Sequence, residues 1–264
     1  MDITGSPIGI FDSGVGGTSI WRAINRLLPG ESTLYLADSR YAPYGRKSKE
    51  EIINLSVKNT RLLIEKKCKL IVVACNTATT TAISHLRENY PLPFIGIEPA
   101  IKPAALQSRT RVVGVLATRG TLSSELFHNT ASLYGSGISV IEQVGDGLVS
   151  LIEQGKIQSP EMSRLLTGYL QPMIDRNIDY LVLGCTHYTY LIPKIRNILP
   201  PSVIIIDSGD AVARQTKAVL EKKGWLNSSA TPPTYRFYSN LDAILLRSFL
   251  PGDKTSLTVE YMEF

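Results

Sequence analysis

Two cysteines occupy matching positions in this sequence, and a thiol in such a position can exchange a proton with a bound substrate. Cys75 follows the apolar run 70–74, and Cys185 follows the apolar run 180–184 in the same way. Such runs are typical of strands buried on both faces of a parallel sheet. A helical pattern follows each cysteine, and the N-terminus of a helix favours the thiolate form of a nearby thiol. We therefore expect two reactive cysteines at the carboxyl ends of two strands.

Acidic and basic side chains stand near the same kind of strand end. Asp12 and Ser13 close the apolar run 8–12 and precede the glycine-rich segment 14–17, and His187 lies two residues after Cys185. The glycines do not form a dinucleotide-binding fingerprint, because position 19 is a serine. A tight strand-to-helix turn would explain the glycines but not the polar pair at a strand end, where ligands of open α/β sheets bind. Asp12 could instead cap a helix and His187 could be a core histidine, but we favour functional roles for both.

Composition and cysteine usage restrict the class of protein. The chain has 264 residues with 44% hydrophobic content, enough for one large or two modest domains. No apolar run approaches the roughly 20 residues that cross a bilayer, and the first seven residues lack the features of a signal peptide. We therefore expect a cytoplasmic protein that does not contact membranes.

The sequence also argues against metal and nucleic-acid partners. Three cysteines without a CxxC pair and only three histidines favour reduced thiols and no metal site. The net charge of +5 arises from dispersed lysines and arginines, and no aromatic residues interleave with them as in a base-stacking surface. We expect no nucleic-acid partner.

Strand and helix patterns alternate in two series, which predicts an α/β fold. Both series begin with a strand and a turn of small residues, at 8–17 and 111–121, and each reaches its cysteine strand later. We therefore predict two pseudo-symmetric α/β domains with mostly parallel sheets and an active site in the cleft between them. Residues 1–97 and 208–264 would form the domain with Asp12 and Cys75. Residues 98–207 would form the domain with Thr118, Glu153, Cys185 and His187.

Five co-linear motifs resemble those of the glutamate racemase family, within the aspartate/glutamate racemases. They are Asp12-Ser13-Gly14-Val15-Gly16-Gly17, Pro43-Tyr44-Gly45, Cys75-Asn76-Thr77, Ala117-Thr118-Arg119-Gly120-Thr121 and Gly184-Cys185-Thr186-His187-Tyr188. The resemblance runs from residue 8 to about residue 225. It implies an enzyme without cofactors that interconverts L- and D-glutamate, supplies D-glutamate for peptidoglycan synthesis and often forms a homodimer.

The resemblance also implies residue roles. Cys75 would take the α-proton from D-glutamate and Cys185 from L-glutamate, with Asp12 assisting Cys75 and His187 assisting Cys185. Glu153 would be a further acid–base helper by family analogy. The substrate would be held by Asp12, Ser13, Tyr44, Gly45, Asn76, Thr77, Thr118, Thr121, Thr186 and His187.

The residue chemistry agrees with this reading independently. Racemisation removes a proton from one face of the α-carbon and returns one to the other face, so it needs two bases on opposite sides. Two facing lobes with one thiol each can supply them. Residues 144–147 stand where many family members have a cysteine–proline pair, which puts the helix that carries Glu153 in question.

Two other functions remain open at this level. A related racemase acting on aspartate would use the same two thiols, and the sequence separates it poorly because specificity depends on how far the side-chain carboxylate reaches. A non-catalytic protein that binds an amino acid or a protein partner is the second alternative. It has no need of both Cys75 and Cys185.

Overall fold

Two parallel β-sheets form the framework of the computed structural model, which describes residues 3–134, 137–228, 231–252 and 256–264. The strands are β1 (Ile8–Asp12), β2 (Thr33–Ala37), β3 (Leu70–Val73), β4 (Phe94–Gly96), β5 (Val112–Ala117), β6 (Ser139–Val144), β7 (Tyr180–Gly184), β8 (Ile204–Ile206), β9 (Tyr235–Ser239) and β10 (Leu257–Tyr261). The α-helices are α1 (Thr18–Leu27), α2 (Lys49–Glu65), α3 (Asn76–Asn89), α4 (Ile101–Gln107), α5 (Arg119–Leu122), α6 (Glu125–Tyr134), α7 (Leu148–Glu153), α8 (Pro160–Asp175), α9 (Ile192–Arg196), α10 (Gly209–Lys223) and α11 (Ala243–Ser248). None of the described helices has the length and apolarity needed to cross a membrane.

Each sheet is the centre of one lobe. The first lobe contains the sheet ordered β10-β9-β2-β1-β3-β4, and the second lobe contains the sheet ordered β6-β5-β7-β8. Every strand pair described in both sheets is parallel. Strands β1, β3 and β7 are buried along their whole length, as their apolar sequences predict. The predicted α/β fold with two parallel-sheet lobes is confirmed.

The chain passes between the lobes twice, after β4 and after β8. It returns to the first lobe through α10, which packs against α1. The two crossings touch, because the Ser208 hydroxyl donates a hydrogen bond to the carbonyl oxygen of Glu98. The domain limits at residues 97 and 208 stay a prediction.

Side-chain caps define where several helices begin. The Ser48 hydroxyl accepts from the Glu51 amide while the Glu51 carboxylate accepts from the Ser48 amide, which is the capping box expected from the sequence. The Ser159 hydroxyl accepts from the Met162 amide, with Pro160 at the first position of α8. Gly147, which precedes α7, has a φ of +85° that favours glycine. The segment that departs from the family pattern thus starts a regular helix, and Glu153 is its last residue.

Three expectations about elements were wrong or incomplete. The sequence predicts the last strand at residues 235–238, but β10 follows it at the edge of the first sheet. The apolar residues at 122, 126 and 133 predict a single helix, but the structure divides it into α5 and α6. The helical pattern after Cys185 starts as a 3-10 helix (Thr186–Leu191), and α9 begins only afterwards. The loop expected at 227–233 includes residues 229 and 230, and the N-terminal segment includes residues 1 and 2, which lie outside the described residues.

Candidate active site

A buried cavity between the lobes is lined by both candidate thiols. Its volume is about 10 Å³, and its wall comprises Ser13, Pro43, Tyr44, Gly45, Cys75, Asn76, Thr77, Thr118, Val149, Cys185, Thr186 and His187. Cys75 belongs to the first lobe and Cys185 to the second. Asp12, Thr121 and Glu153 lie behind this wall and contact residues that form it. The structure thus brings together the residues singled out from the sequence.

Cys75 is connected to Asp12 through a hydroxyl group. The Cys75 Sγ lies 3.7 Å from Ser13 Oγ as a donor, and Ser13 Oγ lies 3.4 Å from Asp12 Oδ1. The other Asp12 oxygen accepts a 2.7 Å hydrogen bond from the Gly17 amide. Ser13 is therefore the link between the thiol and the carboxylate, and all three side chains belong to the first lobe.

Burial dominates the ionisation of this group. It raises the pKa of the Cys75 thiol well above its ordinary value, and the nearby Asp12 carboxylate adds to the rise. The Ala78 amide, which donates to Sγ over 3.4 Å, opposes the rise without cancelling it. The helix N-terminus thus favours the Cys75 thiolate, as the sequence predicts, but burial outweighs this effect. Burial also raises the pKa of Asp12, although His187 and the Gly17 amide lower it.

Cys185 is connected to a carboxylate through an imidazole. Its Sγ lies 3.8 Å from His187 Nδ1, and His187 Nε2 lies 2.6 Å from Glu153 Oε1. Burial disfavours the charged imidazole, but hydrogen bonds to Cys185 and Glu153 and the charges of Asp12 and Glu153 hold the pKa of His187 well above its usual range. The surroundings of His187 therefore favour its charged form, although the Gly16 amide also points at Nε2 over 3.3 Å.

The two thiols differ in their backbone surroundings. The Cys75 side chain caps α3, whereas the Cys185 side chain makes no capping hydrogen bond to the 3-10 helix that follows it in the described structure. The expected match between the two thiols therefore holds for the strand ends but not for the helix N-termini.

Asn76 is the polar side chain of the wall that is left without a partner. It is 3% exposed, and within the described residues neither its oxygen nor its nitrogen makes a hydrogen bond. Buried polar groups in proteins are almost always paired, so an open amide on a cavity wall is available to a ligand. Three threonine hydroxyls lie beside it and bridge the cleft: Thr77 Oγ1 is 2.8 Å from Thr118 Oγ1 and 3.4 Å from Thr121 Oγ1.

Tyr44 lines the cavity, but its hydroxyl is engaged elsewhere. It donates to the buried carboxylate of Asp38, which also accepts from Lys58, Asn59 and Asn240. The hydroxyl expected to contact a ligand therefore anchors the loop instead. The sequence predicts a strand at residues 33–38, and nothing else in it indicates a role for Asp38.

Two glycines of the first turn leave room for side chains of the second lobe. A Cβ atom on Gly14 would lie 1.9 Å from Glu153 Oε1, and one on Gly16 would lie 2.3 Å from His187 Nδ1. These glycines are needed because the second lobe approaches the turn closely, which the sequence did not indicate. Val149, an apolar part of the wall, was also missed because no motif includes it, and Pro43 was quoted only as part of a motif.

Within the described residues, no group of three or more histidine, cysteine, aspartate or glutamate side chains could hold a metal ion. The cavity wall also contains no lysine, the residue that forms a Schiff base with a carbonyl cofactor.

Comparisons with known proteins give a consistent result. Residues 8–216 match the family described as Asp/Glu/Hydantoin racemase. The chain is 46% identical to the glutamate racemase of Ectopseudomonas mendocina (strain ymp) over 95% of each chain. Among solved structures, glutamate racemase from Francisella tularensis subsp. tularensis SCHU S4 in complex with D-glutamate has a TM-score of 0.83, with 30% identity over 97% of this chain and 98% of that one. Escherichia coli glutamate racemase in complex with L-glutamate and the activator UDP-MurNAc-ala has a TM-score of 0.82, with 32% identity over 93% of each chain.

Proposed function

Because this chain belongs to the Asp/Glu/Hydantoin racemase family, we propose that it interconverts L- and D-glutamate. The observation that carries the proposal is that Cys75 and Cys185, from opposite lobes, line one buried cavity. Two thiols on opposite sides of a bound amino acid are what a two-base racemisation requires. A relative of 46% identity named glutamate racemase supports glutamate as the substrate.

In the proposed reaction one thiolate removes the α-proton and the other thiol supplies a different proton to the opposite face. Starting from D-glutamate, the Cys75 thiolate takes the α-proton and becomes a thiol, and the electron pair of the broken bond moves into the α-carboxylate group. Cys185 then gives its proton to the opposite face of the α-carbon and becomes the thiolate. Starting from L-glutamate, the same steps run in reverse. Solvent protons return the two thiols to their starting forms.

The groups behind each thiol assist the transfers. The raised pKa of Cys75 means that its proton must leave before catalysis in the D-to-L direction, and Ser13 and Asp12 form the route for it. The His187 imidazolium stabilises the Cys185 thiolate electrostatically, and Glu153 holds the imidazole by its Nε2. Both helpers therefore act on a thiol and not on the substrate directly.

The open polar groups of the wall are proposed to hold the substrate. The Asn76 amide offers both donors and an acceptor, and it stands at the first position of α3, whose N-terminus attracts a carboxylate. Hydroxyls of Ser13, Thr77, Thr118 and Thr186, with the Gly45 backbone, can pair the remaining carboxylate and amino groups. Tyr44 contributes through its ring and backbone, since its hydroxyl is bonded to Asp38.

Three further features are proposed on the family resemblance. The reaction needs no cofactor or metal, its product D-glutamate serves peptidoglycan synthesis, and the chain forms a homodimer in the cytoplasm. The first is consistent with a chemistry that two thiols can complete by themselves.

Aspartate remains the competing substrate. Its side-chain carboxylate is one methylene shorter, so it would leave polar groups of the wall unpaired, and we expect glutamate to react faster. A binding protein without activity is disfavoured because it would need neither thiol.

The test is the loss of optical rotation from L-glutamate and from L-aspartate, measured with the purified full chain after exhaustive chelation and without added cofactor. We expect glutamate to racemise at least tenfold faster in kcat/KM than aspartate. Faster turnover of aspartate would reassign the substrate, and no racemisation of either would contradict the proposed function.

A further inference from the structure

The carboxylate of Glu153 belongs to the second lobe but is held by the first. Its Oε1 accepts a 2.7 Å hydrogen bond from the Val15 amide, and its Oε2 accepts a 2.9 Å hydrogen bond from the Ser39 hydroxyl. Oε1 also lies 2.6 Å from Nε2 of His187, within its own lobe. The Glu153 side chain is 9% exposed, so these contacts are sheltered from water.

The Ser39 hydroxyl makes no other hydrogen bond among the described residues. Asp38 alone separates Ser39 from the end of β2, and the residue is 6% exposed. Its hydroxyl does not line the cavity, and it begins a short 3-10 helix (Ser39–Tyr41) that is not capped by a side chain. The hydroxyl points instead to the carboxylate of a residue 114 positions later in the chain.

The helpers of the two thiols therefore depend differently on the contact between lobes. Cys75, Ser13 and Asp12 all belong to the first lobe, so their connection does not require the second lobe. The connection from Cys185 through His187 ends on Glu153, whose orientation is set by two donors of the first lobe. Separation of the lobes would remove both donors and leave the imidazole with an unrestrained partner.

We propose that Ser39 is a positioning residue for the Cys185 half of the reaction. Together with the Val15 amide it fixes the Glu153 carboxylate when the lobes are closed, and Glu153 then directs His187 Nδ1 toward the Cys185 thiol. Proton transfer at Cys185 is thereby made dependent on closure, whereas the connections of Cys75 to its helpers lie within one lobe. This inference rests on the proposed racemase function.

The test variant is Ser39→Ala, and the matched control is Tyr190→Phe. Tyr190 belongs to the second lobe and shares a 2.5 Å hydrogen bond with Thr18 of the first lobe, so its removal also costs one hydrogen bond between lobes. Phenylalanine keeps the edge contact of the ring with Phe249. The Thr18 and Tyr190 hydroxyls make no hydrogen bond to Glu153 or His187 among the described residues. Ser39→Thr retains a hydroxyl and serves as the rescue variant.

The readout is the α-deuterium isotope effect on kcat/KM, measured from each enantiomer of glutamate. We expect Ser39→Ala to lose about tenfold in kcat/KM and to show the larger isotope effect from L-glutamate, whose proton goes to Cys185. Ser39→Thr should recover most of the rate. Tyr190→Phe should lose less and should show no preference for one enantiomer.

Two outcomes would overturn the inference while the racemase function stands. One is an equal isotope effect from both enantiomers in Ser39→Ala, and the other is the same directional pattern in Tyr190→Phe. A wild-type chain that racemises no glutamate overturns the inference together with the proposed function.

Discussion

His187 Nδ1 lies 4.0 Å from Oδ2 of Asp12, so the helpers of the two proposed bases face each other across the lobe boundary. Each charge affects the ionisation of the other: Asp12 raises the pKa of His187, and His187 lowers the pKa of Asp12. The two halves of the site are therefore electrostatically coupled, although each helper is connected to its own thiol.

This coupling leads to a prediction for Asp12→Asn, His187→Asn and the double variant. L- and D-glutamate have equal free energy in water, so kcat/KM must stay equal in both directions for every variant. A substitution can still change which of the two proton transfers limits the rate. We expect the larger α-deuterium isotope effect from D-glutamate for Asp12→Asn and from L-glutamate for His187→Asn. The double variant should lose less activity than the product of the two single losses, because each helper partly acts through the other. Strictly multiplicative losses would show that the helpers are independent.

The thiols themselves are tested by Cys75→Ser and Cys185→Ser. Serine is far less acidic than cysteine, so each variant should lose about a hundredfold to ten-thousandfold in racemisation while remaining folded. Cys68→Ala is the matched control, because Cys68 is equally buried but does not line the cavity. Near-normal turnover in either serine variant would contradict the two-base assignment, and loss of turnover in Cys68→Ala would remove the control.

Gly14→Ala tests the close approach of the second lobe. The new Cβ would overlap Glu153 Oε1 at 1.9 Å and displace the carboxylate from the Val15 amide and from His187. We expect at least a tenfold loss of kcat/KM, with a native circular dichroism spectrum. Gly168→Ala in the interior of α8 meets no atom within 4 Å. It should keep full activity and raise the free energy of unfolding by about 0.5–1 kcal/mol. Equal activities of the two variants would mean that the Glu153 contact is unimportant.

Cys68 gives a prediction for stability at alkaline pH. Burial raises its pKa from 9.0 to about 12 in the folded protein. Above pH 9 the unfolded chain releases this proton while the folded protein retains it, so the wild type loses stability as pH rises toward 12. We compare the free energy of unfolding of Cys68→Ala with that of the wild type by urea unfolding. The variant's value minus the wild-type value should rise by about 2 kcal/mol between pH 8 and pH 10.5. A pH-independent difference would contradict the buried thiol as its source.

The sequence was sufficient to predict the features that depend on residues close together in the chain. Strands such as β1 and β7 were predicted because their residues are apolar without interruption, and Cys75 and Cys185 were placed because each follows such a strand. The strand β10 was missed because it is an edge strand with half-exposed side chains and a short apolar signal. Edge strands are stabilised by one neighbour only, so their sequences are less constrained.

Contacts that form only in the folded chain could not be predicted from the sequence. The hydrogen bond from Ser39 to Glu153 joins residues far apart in sequence, and nothing in the composition of either segment indicates it. The direction of the Tyr44 hydroxyl depends in the same way on Asn59 and on Asp38, which are brought together only by the fold. The upward shift in the pKa of Cys75 could not be predicted, because burial, a property of the folded chain, outweighs the local helix N-terminus.

The hydrogen bond from Ser208 to the Glu98 carbonyl joins the only two chain crossings between the described sheets at one point. Two rigid bodies linked at a single small region can rotate about it but have little freedom to slide past each other. If the lobes separate to admit a ligand, we therefore expect a rotation about this region, with the two sheets keeping their shapes. Such a rotation would bring Cys75 and Cys185 back to the same spacing each time the lobes close.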